Sequence, residues 1–93
     1  MKRILYWLIA GTRGGATRAR IIRALKEKPY NANQLSELLG LDYKTVKHHI
    51  KVLMDNNIII ATGERYATLY FLSEDMEANY ATFEEIWEKF GEK

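Results

Sequence analysis

Apolar positions recur at helical spacing over the first half of the chain and then switch to an extended pattern. Ile4, Leu5, Trp7, Leu8 and Ile9 form a short apolar run, which predicts a helix within residues 1–11, broken at Gly11 and again at Gly14-Gly15. A helix of this length does not hold alone in water. Its surface is apolar nearly all round, so another surface must cover it. Ile21, Ile22 and Leu25 then share one stripe, while Arg18, Arg20, Arg23 and Lys26 point in other directions. This predicts a helix over residues 18–27 with Thr17 as its N-cap, stopped by Pro29 because a residue before proline is pushed out of helical dihedrals.

Asn31 and Gln34 have the spacing of a capping box and open a third helix, whose buried face is Leu35, Leu38 and Leu39. Gly40 stands where a left-handed residue ends a helix. Asp42 is an N-cap again, and a fourth helix runs from Tyr43 to about Asn56 with Val46, Ile50 and Leu53 as its inner stripe. Two helices joined by so tight a turn are a helix-turn-helix. After Asn57 the β-branched run 58–61 and the aromatic run 66–72 flank a turn over residues 62–65. They predict a β-hairpin, which in this position is a wing. Ser73 caps a last helix through residue 91. Met76, Tyr80, Phe83, Trp87 and Phe90 recur along it at intervals of four and three, the spacing of a heptad seam.

The expected architecture is therefore mainly α with a small β-hairpin. It is one winged helix-turn-helix domain over residues 1–93, with a core at 17–72 and extra helices at 1–11 and 73–91. The length of 93 residues fits one domain and not two. Met1-Lys2-Arg3 and the apolar run imitate a secretory signal, but the run is short, holds Tyr6 and Trp7, and lacks a cleavage pattern. It is also too short to span a bilayer. Zero cysteines exclude disulfides, thiolate metal sites and thiol nucleophiles. No membrane partner is expected, and the cytoplasm is the default compartment.

The formal net charge of +2 conceals a strong polarity. Residues 1–54 carry eleven Lys and Arg against three acids, a net +8, while residues 55–93 carry three against nine, a net −6. A basic half of this kind suits a polyanion. On a helical wheel with Val46 at zero, Ile50 and Leu53 lie within about 40°, while Lys44, Lys47, His48 and Lys51 fall between roughly 100° and 200°. Tyr43 and Thr45 stand in the first turn of the same helix. Lysines that position on phosphates, beside shorter side chains that read base edges, are what a helix in the DNA major groove presents. Arg65 at the hairpin turn, with Arg18 and Arg20 on the second helix, are further candidate contacts.

Other chemistry is poorly supplied. His48 and His49 are adjacent, point about 100° apart on a helix and have no third ligand, so no metal site is expected. Gly11 to Gly15 lacks the ending of a phosphate loop. Ser36 is mid-helix and Ser73 a cap, so no catalytic group, enzymatic activity or cofactor is expected. The seam of Met76, Tyr80, Phe83, Trp87 and Phe90 exceeds what a small winged core needs, and Ile4, Leu5 and Leu8 are uncovered. Docking the two across a two-fold axis predicts a homodimer with two recognition helices about one DNA turn apart. The competing reading is a protein-interaction module that docks a different protein through those same terminal helices.

The segments TRARIIRAL (17–25), NQLSELLGL (33–41), YKTVKHHIKVL (43–53) and YFL (70–72) resemble the ArsR-type winged helix-turn-helix regulators, especially their archaeal branch. The resemblance covers about 60% of the chain. It implies a dimeric transcriptional regulator with its dimer built from terminal helices, in agreement with the reading of the residues, which expects a double-stranded-DNA-binding regulator acting as a repressor that occludes a promoter. By the same resemblance the reading helix is 43–51 and the wing is 61–68. Metal-sensing members carry cysteines in or before the recognition unit, and this chain has none, so metal-dependent release is not implied and no effector is assigned.

Overall fold

Local chemistry sets most of the element boundaries. The computed structural model of the chain describes residues 1–63 and 68–91. Its elements are α1 (Lys2–Ile9), α2 (Gly15–Glu27), α3 (Ala32–Leu39), α4 (Tyr43–Asp55), β1 (Ile59–Thr62), β2 (Leu69–Leu72), α5 (Glu74–Ala78) and α6 (Tyr80–Phe90). This is a mainly helical winged helix-turn-helix with added helices at both ends.

The capping box at Asn31 and Gln34 is complete, with bonds of 2.7 and 2.8 Å, and satisfies two donors at the start of α3. Gly40 closes α3 in the left-handed region at φ 65°, where a side chain would be strained. The expected Thr17 cap is not used, because α2 begins at Gly15. A Cβ on Gly15 would lie 1.9 Å from the Ile9 carbonyl oxygen. The end of α1 thus rests directly on the first backbone turn of α2, and the second of the two glycines opens a helix instead of breaking one.

The hairpin is antiparallel, with Ile59 opposite Leu72 and Ala61 opposite Tyr70. Beyond the hairpin, Tyr70 exchanges both backbone hydrogen bonds with Tyr30, at 2.8 and 3.3 Å. The wing is therefore fastened to the α2–α3 connection. Tyr66 and Ala67, expected at the start of the second strand, lie outside the described residues.

The single terminal helix expected from Ser73 onward is two. Ser73 Oγ accepts from the Met76 N–H, as an N-cap should. At Asn79 the side-chain amide donates to the Asp75 carbonyl at 2.8 Å, a local bond that competes with continued helix and separates α5 from α6. The seam is re-phased by this break. Met76, Phe83 and Ile86 are buried in the chain's own core, together with Leu5, Leu8 and Ile9 of α1. Helix α1 packs on α6 and α2 within one chain, which covers Leu5, Leu8 and Ile9 and leaves Tyr6 and Trp7 exposed.

Candidate nucleic-acid interface

Helix α4 is set by Asp42, whose Oδ2 accepts from the N–H groups of Lys44 and Thr45 at 3.0 and 3.2 Å. One face of α4 closes the core with Val46, Ile50 and Leu53, all buried. Tyr43, Lys44, Thr45, Lys47, His48 and Lys51 are all exposed on the other face. Lys44, Lys47, His48 and Lys51 line one hollow along α4, and Tyr43 joins Lys47 in a second beside it. Lys51 pairs with Asp55 at 3.0 Å, one turn away at the far end of the helix. Lys47 donates to the Tyr70 hydroxyl at 3.3 Å, with its ammonium 5.9 Å from the ring centre.

The two arginines of α2 stand elsewhere. Arg18 is 5% exposed. Its Nε donates to the Leu8 carbonyl at 2.9 Å, one Nη to Thr12 Oγ1, and the other lies 3.2 Å from His49 Nδ1. The expected phosphate contact by Arg18 is corrected: the side chain is buried and its guanidinium is turned to Leu8, Thr12 and His49 inside the protein, out of reach of a phosphate in solvent. Burial holds its pKa below the usual arginine value. His49 is buried on the inner side of α4, and its pKa is lowered by burial and then by the positive charge of Arg18 and by His48. Arg20 is exposed, but its guanidinium donates to the Leu39 carbonyl at 2.7 Å, beside Leu38 and not among the α4 lysines. Arg65 lies outside the described residues.

The candidate dimer residues also divide. Leu5, Leu8, Met76 and Phe83 have no accessible surface. This corrects their expected place at a subunit contact, since the chain's own core encloses them: Leu5 and Leu8 come from α1, Met76 from α5 and Phe83 from α6. Ile4, Tyr80 and Trp87 are half-buried, Arg23 lying 5.5 Å over the Trp87 ring and Lys26 5.0 Å over that of Tyr80. Phe90 is 54% exposed and meets Tyr6 edge to face at 5.2 Å. Tyr6 and Trp7, at 45% and 57% exposed, are surface residues that the helical stripe passed over. The uniformly apolar run around them masked their direction.

No curated protein matches the sequence. Among solved structures, the reduced form of the transcriptional regulator YodB from B. subtilis is similar, at 23% identity over 87% of this chain and 82% of that one, with a TM-score of 0.71. Reduced HlyU from Vibrio cholerae N16961 shares 17% identity over 98% of this chain and 90% of that one, TM-score 0.70. The adhesin competence repressor AdcR from Streptococcus pyogenes shares 17% over 81% and 66%, TM-score 0.60. At these identities the likeness establishes the winged helix-turn-helix fold. The family model described as bacterial regulatory protein, arsR family, matches residues 15–61, just over half of the sequence, from the first turn of α2 into β1. Its match spans the helix-turn-helix and the lysine-bearing surface together, and the chain belongs to the arsR family of DNA-binding transcription regulators.

Proposed function

We propose that the chain is a homodimeric, sequence-specific repressor acting in the cytoplasm. Helix α4 enters the major groove, with Lys44, Lys47 and Lys51 on phosphates and Tyr43, Thr45 and His48 toward base edges. The observation that carries this reading is the division of α4: a fully buried inner stripe and an outer face with all three lysines in solvent. Residues 17–72 form the reading unit, and the terminal helices form the contact between copies. A second copy meets the aromatic surface of Tyr6, Trp7 and Phe90, flanked by Ile4, Tyr80 and Trp87.

The test is duplex binding by a variant with Lys44, Lys47 and Lys51 all replaced by alanine. Binding should collapse while the thermal unfolding midpoint holds, and each lost phosphate contact should flatten the logarithmic salt dependence by about one. Undiminished affinity in the folded variant overturns the assignment of α4. Self-association is tested separately with Trp7→Glu, which should shift light scattering from dimer to monomer. A monomeric parent overturns the homodimer.

A further inference from the structure

Beside the lysine face lies a polar hollow of about 260 Å³, walled by Asn31, Asn33, Tyr43, Lys47 and Tyr70. Water occupies about 30 Å³ per molecule in the liquid, so the space suits a phosphate group with a few waters. Its walls come from three separate parts of the fold: the start of α3, the recognition helix and the wing strand. Tyr70 holds them in place. It is 6% exposed, pairs through its backbone with Ala61 on one side and Tyr30 on the other, and turns its hydroxyl to Lys47. Lys47 and Tyr70 also line a larger hollow along α4, with Lys44, His48 and Lys51. The pair therefore stands on the partition between the lysine face and the polar hollow.

We propose that this hollow is a seat for one backbone phosphate of the bound duplex, in which the Tyr70 hydroxyl positions the Lys47 ammonium and Asn33 faces the same group. The inference rests on the DNA-binding reading above and adds Tyr70 and Asn33 to it. A tyrosine hydroxyl can accept from the ammonium and still donate its own proton to an anionic oxygen. The lysine then meets the phosphate from a fixed position instead of being ordered on binding, which lowers the entropic cost of the contact.

Two variants separate this role from a structural one. Tyr70→Phe removes only the hydroxyl, and duplex affinity should fall about three- to tenfold with little change in the unfolding midpoint. In a Lys47→Ala background the same substitution should have almost no further effect, because the two act as a pair. Asn33→Asp places a carboxylate in the first turn of α3, where the helix dipole favours it. It should leave stability equal or higher while weakening duplex binding by at least tenfold at low salt, an opposition that no packing defect produces. Parent-like affinity in Tyr70→Phe, or an equal loss with and without Lys47, overturns the proposal. Lys44→Ala reports on the underlying reading. If it weakens binding while both hollow variants do not, the interface stands and the seat does not; if duplex binding is absent throughout, the reading itself fails. Titration with inorganic phosphate, followed by amide shifts at Asn33 and Lys47, distinguishes the source. Saturable binding of free phosphate, lost in Tyr70→Phe without any change in duplex affinity, overturns the assignment to DNA.

Discussion

The guanidinium of Arg18 stands 3.2 Å from His49 Nδ1 in the interior, joining α2 to the inner side of α4. Arginine has only donors, so Nδ1 must accept and the imidazole proton sits on Nε2. Arg18 also holds Leu8 at the end of α1. One residue thus ties α1, α2 and α4 together, with no carboxylate among the described residues of the cluster.

Acid should weaken this junction. Burial and the neighbouring cations lower the folded-state pKa of His49 below its ordinary 6.5, so the folded protein binds the proton less readily than the unfolded chain. The stabilising contribution is complete above about pH 6.5 and is lost as the pH falls through and below that value. The groups facing His49 are Arg18 from α2 and His48 from its own helix, and a protonated ring would oppose the first directly. The unfolding midpoint should therefore drop more steeply between about pH 7 and pH 5 in the parent than in His49→Gln, which keeps an acceptor and cannot be charged. Parallel pH profiles would rule out this linkage.

Arg18→Met should cost about 1–3 kcal/mol, because it strips the donors from buried acceptors at Leu8 and His49. Chemical denaturation measures this directly. Once corrected for the folded fraction, duplex affinity should stay close to the parent's. A selective loss of DNA binding at unchanged stability would instead return Arg18 to the interface.

Alanine normally favours a helix over glycine by about 1 kcal/mol, yet Gly15→Ala should destabilise. Its Cβ would meet the Ile9 carbonyl, a backbone atom that cannot rotate away. Separating α1 from α2 to make room should cost about 1–3 kcal/mol, as overpacking does. A raised unfolding midpoint in this variant would show that the α1–α2 approach is looser than described.

Phe83 and Phe90 lie seven residues apart and should behave oppositely. Phe83 is fully enclosed, so Phe83→Ala should cost about 3–5 kcal/mol. Phe90 keeps more than half its surface in solvent, so Phe90→Ala should change monomer stability by no more than about 0.5–1 kcal/mol and, if the proposed homodimer forms through this surface, should weaken it. Denaturation at low protein concentration, compared with sedimentation, separates the two effects.

Much of the architecture was legible because its signals are local. Asn31 with Gln34, Gly40, Asp42 and Ser73 act on backbone groups within four residues of themselves. The α4 wheel sorted correctly because three buried aliphatics at helical spacing leave one phase for the lysines. The terminal helix was less legible: a perfect four-three spacing read as one seam until Asn79 interrupted it. Spacing alone does not say whether an apolar stripe meets its own chain or another.

What this sequence determined by itself was the helix-turn-helix with its wing and the side of α4 that carries the lysines, since short-range capping and hydrophobic periodicity suffice for both. Tertiary structure alone decided that Arg18 is an internal tie, that Leu5, Leu8, Met76 and Phe83 belong to the monomer's core, and that Tyr70 reaches Lys47 across 23 positions. The physical reason is that burial and long-range hydrogen bonding depend on which surfaces meet, and a pattern along one helix carries no record of what is packed against it.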